Sequence, residues 1–321
     1  MTLATFLKLV EIQTKLASLF PFLIGVLFTL HRFGQINIAN TALFFASMLI
    51  FDMATTAINH YMDWKKATSD VYRREHNVIG RENISITTVR LVIGSLLLIA
   101  TLLGLFLVSS STTLVLWVGI LCFAIGIFYT FGPLPLSRLP LGEVFSGVTM
   151  GFGIMFLTVY VNTFELGWTS ISFGSTSQYL AITLNLELFL PLIIVAMPSV
   201  LTIANVMLAN NICDLEEDIM NNRFTLVYFI GKDRAVRLFE LLYYATFVML
   251  IAGMAMRFIP LNPIFFLLVF FPVYKHLKLF RQTQVKSYTF VLSVKNLVLI
   301  NGALLLTFGV HLVLVFIGVT S

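Results

Sequence analysis

Long apolar segments, separated by shorter polar loops, run along almost the whole chain. A segment of about 20 apolar residues is long enough to cross the hydrocarbon core of a bilayer as a helix. The segments lie at about residues 10–31, 40–62, 88–109, 113–131, 142–162, 189–211, 236–257, 262–275 and 294–318. This pattern predicts an all-α, polytopic membrane protein with nine transmembrane helices.

Three features refine this prediction. The eighth segment is short and contains Pro272, so it is the least regular of the nine. The Ser/Thr-rich stretch 168–178 favours an outer loop or a short interfacial segment. Lys8 and Glu11 precede the first segment and no small-residue cleavage site stands out, so we expect the first helix to be retained.

The composition agrees with a membrane protein. Hydrophobic residues make up 59% of the chain and charged residues 11%, with a mean hydropathy of +0.96. No soluble domain is evident, so we expect a single transmembrane domain over residues 1–321. The two cysteines, Cys122 and Cys213, do not suggest a disulfide framework. The net charge of +5 does not indicate nucleic-acid binding, because the basic residues fall in particular loops.

The distribution of basic residues predicts the orientation in the membrane. Basic residues concentrate in cytoplasmic loops, and here the opposite loops carry only Arg32 and Arg257. We therefore expect a multi-pass protein of the cell membrane with its N-terminus in the cytoplasm and its C-terminus outside. The residues in the basic loops are Lys65, Lys66, Arg73, Arg74, Arg81, Arg138, Arg223, Lys232, Arg234, Lys275, Lys278, Arg281 and Lys286.

Two polar strings, NHYMD and NNICDLEED, interrupt the apolar pattern with the same spacing. Asn59 and Asp63 are four residues apart, as are Asn210, Asp214 and Asp218. Four residues are about one helical turn, so each set presents its oxygens on one helix face. The predicted topology puts both strings on the cytoplasmic side. Two such faces looking at each other would suit Mg²⁺, particularly where phosphate oxygens complete the coordination shell.

Asp52 lies one heptad before Asn59, about 10 Å deeper along the predicted helix. A carboxylate at that depth needs a hydrogen-bond partner or a polar ligand. Thr55, Thr56 or another helix could satisfy it. Alternatively, Asp52 could bind the polar end of a substrate.

Basic residues and a third string supply further candidates. A pyrophosphate needs Lys or Arg as well as metal to neutralise it. Most of the basic residues also satisfy the topological pattern, whereas Lys15 lies inside the first apolar segment. The string FYTFGPLPLSRLPLGE contributes Tyr129, Arg138 and Glu143, although turn chemistry alone could explain it. The candidate cations are Lys15, Lys66, Arg73, Arg74, Arg81, Arg138, Arg223 and Lys232.

This combination suits a polyisoprenyl diphosphate as substrate. Mg²⁺ would hold the diphosphate and stabilise its charge as it leaves. Apolar and aromatic walls would shield the allylic cation left behind, since ring faces attract cations. We expect the lipid bilayer itself to surround the apolar part of the chain.

These strings resemble those of the intramembrane aromatic prenyltransferase (UbiA-type) superfamily, which implies a UbiA-like bundle. Within it the chain is most similar to 1,4-dihydroxy-2-naphthoate polyprenyltransferases of the menaquinone pathway. The resemblance rests on TTAINHYMDWKKATSD (55–70), NNICDLEEDIMNNRFTL (210–226), FIGK (229–232) and the YTFGP string after the fourth segment.

The resemblance also implies roles for individual residues. Asn210 would assist the metal ligands, Asp70 matches the later aspartate of the first motif, and Lys15 would lie near the diphosphate or acceptor. The implied Mg²⁺ ligands are Asn59, Asp63, Asp214 and Asp218. The residues expected to act in catalysis are Lys15, Asp63, Asp70 and Asp214, and those expected to bind substrate are Asp52, Asn59, Lys66, Tyr129, Arg138, Asn210 and Lys232.

The chain departs from the family pattern in three places, one of them two residues long. His60 stands where an aspartate often follows the asparagine, and Cys213 stands where naphthoate enzymes usually carry arginine. Asn77 and Val78 replace a common Arg-Pro. These departures bear on the acceptor and the loops more than on the metal site.

The predicted function is Mg²⁺-dependent transfer of a polyprenyl group from polyprenyl diphosphate to 1,4-dihydroxy-2-naphthoate, giving demethylmenaquinone. A related enzyme could instead prenylate 4-hydroxybenzoate, haem or a lipid precursor. An ion-coupled transporter would use Asp52 and the acidic helices as ion sites. That alternative favours acids near the bilayer midplane, whereas most of these acids lie at predicted helix ends.

Overall fold

Among the residues that the structure describes, fourteen α-helices and one β-hairpin make up the regular structure, apart from short 3-10 and π-helical turns. The computed structural model describes residues 1–67, 71–130, 135–173 and 180–319. The hairpin pairs β1 (Thr169–Phe173) with β2 (Leu180–Leu184) in antiparallel register. The helices are α1 (Leu3–Leu9), α2 (Leu16–Phe33), α3 (Ile38–Lys66), α4 (Val78–Arg81), α5 (Ile86–Ser109), α6 (Thr113–Thr130), α7 (Gly142–Ser146), α8 (Ile154–Thr163), α9 (Leu186–Cys213), α10 (Leu215–Met220), α11 (Leu226–Ile230), α12 (Lys232–Ala255), α13 (Ile264–Gln282) and α14 (Phe290–Phe316).

The apolar segments of the sequence correspond to helices. Among the described residues, seven helical stretches are long and apolar enough to cross a membrane. The fourth and eighth segments form α6, whose apolar part is shorter, and α13, which continues past Lys275 and Lys278. The count of nine transmembrane helices therefore stays a prediction. The stretch 168–178 contains β1, where an outer loop or interfacial segment was expected.

Side-chain caps define where several helices begin. The Asn37 side chain accepts a hydrogen bond from the Asn40 N–H at the start of α3, at 3.0 Å. Ser85 and Asn185 cap α5 and α9 in the same way. Such caps satisfy backbone donors that have no partner inside the helix.

Helix α9 lies at the centre of the bundle, where it packs against α12, α14 and the helical segment that includes α7 and α8. Two-thirds (67%) of the apolar window of α9 is buried, against 17% for α5. We infer that α5 presents most of its surface to lipid. The largest fully buried side chains include Trp168, Tyr243 and Phe28.

Polar bridges hold α9 to its neighbours inside the bundle. Ser199 donates to the Asn301 side-chain oxygen at 2.6 Å, and Asn301 donates to the Thr202 hydroxyl at 2.9 Å. Asn205 donates to the Phe239 carbonyl of α12 at 3.1 Å. Because apolar burial drives helix association only weakly in lipid, such bonds help to fix which helix faces which.

A π-helical stretch, Gly147–Gly153, joins α7 to α8 and allows α9 to approach closely. A Cβ atom on Gly151 would lie 2.6 Å from both the Cα and the N of Val200. Such atoms belong to the backbone of α9 and cannot move aside without shifting the helix. Gly151 is therefore required, because the π-helical stretch and α9 lie too close together to leave room for a side chain.

Gly151→Ala is expected to destabilise the protein by about 1–3 kcal/mol, the usual cost of overpacking. The matched control is Gly153→Ala in the same stretch, where the nearest atom to the added Cβ would be the Val148 carbonyl oxygen at 3.6 Å. The apparent melting temperature in detergent should fall for the first variant and stay close to that of the parent protein for the second. Equal melting temperatures for the two variants would contradict the close packing at Gly151.

Candidate functional site

An apolar cavity of about 620 Å³ lies along α3, and the charged and amide side chains in its wall are those of Lys15, Asp52 and Asn59. Its lining on α3 runs from Phe44 to Asn59, a distance of roughly 22 Å at the usual helical rise. The polar residues in the wall are Thr14, Lys15, Ser18, Ser47, Asp52, Thr55, Thr56, Asn59, Thr101, Tyr129, Ser146 and Thr149. The remaining wall is apolar, so the cavity suits a long hydrophobic ligand with a polar end.

A buried ion pair forms part of this wall. The Lys15 ammonium donates to the Asp52 carboxylate at 2.6 Å and to the Thr56 hydroxyl at 2.6 Å. Ser18 donates to the other Asp52 carboxylate oxygen at 2.6 Å. Lys15 is 5% exposed and ends the 3-10 turn that precedes α2. The carboxylate of Asp52 is therefore satisfied by another helical segment, whereas Thr55 and Thr56 donate to its backbone carbonyl.

The first Asn-x-x-x-Asp set occupies the last turns of α3. Asn59 lines the cavity, and Asp63 follows one turn later and is exposed to solvent. The positive charges of Arg223, Arg138 and Lys66 act on the Asp63 carboxylate. Three cations from separate segments therefore contribute to the field at this carboxylate.

The second set continues one helical face across the junction between α9 and α10. The Asp214 N–H donates to the Asn210 carbonyl at 3.0 Å, and the Asp218 N–H donates to the Asp214 carbonyl at 2.8 Å. The i to i+4 spacing of the sequence is thus kept in the structure. Glu216, in the same helix, is exposed, as expected for a residue on another face.

Asp218 is the most buried acid of the second set, at 3% exposure. Its Oδ1 lies 3.3 Å from Arg223 Nε, and its Oδ2 is a buried atom that no described residue hydrogen-bonds. Burial raises the pKa of Asp218 to about 6, with a further increase from the nearby charge of Asp214, whereas Arg223 opposes the shift. A buried carboxylate of this kind favours a proton or an added cation.

Arg223 links the two sets. Two residues after the end of α10, Asn222 adopts the left-handed conformation (φ 53°), and the Arg223 N–H donates back to the Asp218 carbonyl at 2.8 Å. This turn places the guanidinium beside Asp218, and its charge also acts on Asp63 and Tyr129. The two strings that lie about 150 residues apart in sequence therefore share one cation.

Lys286 reaches the second set from the loop between α13 and α14. Its ammonium donates to the Asn210 side-chain oxygen and to a carboxylate oxygen of Asp214. Sequence reasoning counted Lys286 only as a topological charge. In a short basic loop, the sequence does not distinguish a lysine that only sets the membrane orientation from a lysine that contacts a functional site.

The third string contributes a buried polar cluster. Asn211 donates to Glu143 Oε1 at 2.8 Å, while Glu143 Oε2 and the Tyr129 hydroxyl are buried without a hydrogen-bond partner among the described residues. Tyr129 also lines the cavity. The sequence named Tyr129 and Glu143 but gave no sign that Asn211 joins them.

The remaining predicted residues lie farther toward solvent or outside the described part. Arg138 ends a 3-10 turn and is half-buried, and Lys66 and Lys232 are exposed. The charge of Lys232 acts on Cys213. Asp70 lies outside the described residues.

Both polar sets consist of carboxylate and amide oxygens, the ligands that Mg²⁺ prefers. Within the described ranges, no group of three or more His, Cys, Asp or Glu side chains is close enough to hold a metal ion by itself. Mg²⁺ commonly takes one or two carboxylates and completes its shell with water and substrate phosphates. The unpartnered Oδ2 of Asp218 fits such an ion.

Comparisons with known proteins identify the family of the chain. A model of the UbiA prenyltransferase family matches residues 18–300. The 1,4-dihydroxy-2-naphthoate octaprenyltransferase of Bacillus subtilis (strain 168) is 28% identical over 233 residues, which cover 72% of this chain and 67% of that protein.

Solved structures share the fold over nearly the whole chain. One, described as a study of digeranylgeranylglyceryl phosphate synthase in membranes, has a TM-score of 0.62 at 15% identity and covers 96% of this chain and 97% of its own. A UbiA homologue from Archaeoglobus fulgidus, bound to DMAPP and Mg²⁺, has a TM-score of 0.58 at 13% identity, covering 95% and 99%. At such low identities the likeness establishes the fold alone. Because the family model spans most of the chain, the protein belongs to the UbiA prenyltransferase family.

Proposed function

We propose that this prenyltransferase moves a polyprenyl group from polyprenyl diphosphate to 1,4-dihydroxy-2-naphthoate, giving demethylmenaquinone in its reduced, hydroquinone form. The observation that carries the proposal is the pair of Asn-x-x-x-Asp faces, electrostatically linked by Arg223, together with an apolar cavity that reaches Asn59. The naphthoate acceptor is favoured because the Bacillus subtilis relative carries that name.

In this proposal, the polar residues hold the diphosphate of the donor. Asn59, Asp63, Asp214 and Asp218 are the proposed ligands of a divalent cation, with Asn210 beside them. When bound, Mg²⁺ supplies positive charge that stabilises the diphosphate as it leaves. The cations proposed to bind the diphosphate oxygens directly are Arg223, Arg138, Lys66 and Lys232. Asp70 is also proposed to act in holding the diphosphate, because it belongs to the first polar string.

The apolar cavity would hold the polyprenyl chain. Phe51 and Phe123 both line it, and their rings stack with centroids 4.0 Å apart. Gly126 leaves room for this stack, because a Cβ there would lie 2.8 Å from the Phe51 ring. Aromatic faces next to the reacting carbon would stabilise the allylic cation and exclude water.

The reaction replaces a carbon–oxygen bond by a carbon–carbon bond. The allylic C–O bond breaks and its electron pair leaves with the diphosphate. The electron-rich ring carbon that bears the carboxylate attacks the allylic carbon, and loss of CO₂ returns an electron pair to the ring. We propose that the polar groups at Lys15, Asp52 and Tyr129 meet the polar substituents of the acceptor, since all three line the cavity.

The proposed site faces the cytoplasm, because both polar strings adjoin the basic loops. The proposal includes nine membrane crossings, among them α6, which has a shorter apolar part, and α13, which continues past Lys275 and Lys278. It also includes a single domain over residues 1–321. The N-terminus would lie inside and the C-terminus outside the cell membrane.

A reconstituted assay tests the acceptor and the metal together. Purified protein in lipid should convert polyprenyl diphosphate and 1,4-dihydroxy-2-naphthoate to prenylnaphthoquinone and diphosphate in the presence of Mg²⁺, and EDTA should stop both products. Mass spectrometry would follow each product. Product with 4-hydroxybenzoate, haem or a lipid precursor in place of the naphthoate would refute the proposed acceptor, and turnover in EDTA would refute the metal.

Asp63→Asn and Asp214→Asn are each expected to lower turnover at least 100-fold, because loss of one carboxylate weakens stabilisation of the leaving diphosphate by several kcal/mol. The matched control is Glu216→Gln, which neutralises an exposed acid of α10 and should leave turnover within two-fold, roughly the effect of a surface change. Circular dichroism and size exclusion would verify folding. Turnover near that of the parent protein in either aspartate variant would remove that residue from the metal site.

A double-mutant cycle can distinguish a structural role of the buried Lys15–Asp52 pair from a role in substrate binding. Lys15→Met or Asp52→Leu alone leaves an unpaired buried charge and should cost about 3–5 kcal/mol of stability. The double variant should recover most of that loss, because no charge remains. If the pair also meets the acceptor, the stable double variant should still show a raised KM for the naphthoate; an unchanged KM would make the pair purely structural.

A further inference from the structure

Lys286 occupies oxygen atoms that the proposed metal would need. Its ammonium bonds both to the Asn210 side chain and to the Asp214 carboxylate. Asp214 is a proposed metal ligand, and Asn210 lies one helical turn before it. An ammonium ion and a divalent cation cannot share these atoms without like-charge repulsion.

The backbone that carries Lys286 is firmly held. The Val285 N–H donates to the Thr289 hydroxyl oxygen at 2.8 Å, and the Thr289 N–H donates to the Val285 carbonyl at 2.8 Å. Gln284 donates to the Phe280 carbonyl of α13 at 2.7 Å. These bonds close the link between α13 and α14 into a fixed turn directly beside the end of α9.

The side chain of Lys286, by contrast, is open to solvent over 46% of its surface. Its ammonium lies 4.9 Å from the centre of the Phe290 ring, which gives the cation a second favourable contact. A lysine stem has four rotatable carbons and can redirect its charge without movement of the backbone. The buried pair of Lys15 and Asp52, exposed by 6% and 15%, has no such freedom.

We propose that Lys286 is an exchangeable counter-cation, which neutralises Asp214 while no substrate is bound and transfers to the diphosphate when the metal arrives with it. This inference rests on the proposed function. A prenyl diphosphate brings more negative charge than one divalent ion removes, so the displaced ammonium has a partner of opposite charge in the same place. Free metal would bind weakly to the empty enzyme, and metal and diphosphate would each strengthen the binding of the other.

Lys286→Met tests the exchange, because methionine keeps an unbranched stem and removes the charge. Mn²⁺ binding to the full-length protein would be measured by electron paramagnetic resonance, with and without inorganic pyrophosphate. In the variant, Mn²⁺ alone should bind about ten-fold more tightly, since no ammonium competes for Asp214. Pyrophosphate in the presence of Mn²⁺ should bind about ten-fold more weakly, and KM for the prenyl diphosphate should rise more than kcat falls.

Lys278→Met is the matched control, since it removes an equal charge from exposed Lys278 on α13. It should change neither affinity. Lys286→Arg keeps the charge and should hold the Mn²⁺ affinity of the empty enzyme close to that of the parent protein. If methionine proves unstable at this position, Lys286→Gln serves the same purpose.

Unchanged or weaker Mn²⁺ binding to Lys286→Met alone would overturn the competition with metal. Unchanged pyrophosphate affinity would overturn the transfer to the diphosphate. Failure of the proposed function would give a different result. In that case the parent protein itself would bind no Mn²⁺, even with pyrophosphate present.

Discussion

A largely buried carboxylate is costly unless a cation reaches it, and here two of the three cations come from distant segments of the chain. Lys15 reaches Asp52 from the turn before α2, Lys286 reaches Asp214 from the α13–α14 loop, and Arg223 reaches Asp218 through the turn after α10. The positions of these segments are therefore tied to the acids on α3, α9 and α10. The polar end of the bundle is held together by charge balance and its interior by packing.

The exposure of each pair indicates what that pair can do. Lys15 and Asp52 are enclosed, with Ser18 and Thr56 supplying further bonds, so their separation would leave uncompensated charge in a low dielectric. Lys286 is half open and carries few bonds beyond those to Asn210 and Asp214. The enclosed pair forms part of the cavity wall, whereas the pair of Lys286 and Asp214 is more open to solvent and lies outside the residues that line the cavity.

Much of the fold follows from hydropathy alone. The predicted segments 88–109 and 113–131 correspond closely to α5 and α6, and Ser85 caps the start of α5. The predicted segment 262–275 ends too early, since α13 continues to Gln282 with charged residues that face outward. A hydropathy boundary marks where a helix leaves the apolar phase, and the helix itself can extend farther. The β-hairpin after α8 had no comparable signal, because short polar segments rich in Ser and Thr form loops and strands equally well.

The sequence by itself determined the helical class, the acid spacing and the family resemblance, because these depend on local periodicity and on strings of neighbouring residues. The i to i+4 face of Asn210, Asp214 and Asp218 could be read directly, since hydrogen bonds within a few residues create it. Only the tertiary structure decided that Lys286 meets Asp214, that Arg223 serves both polar sets, and that Asn211 meets Glu143. These contacts join residues far apart in the chain, and the packing of whole helices sets them.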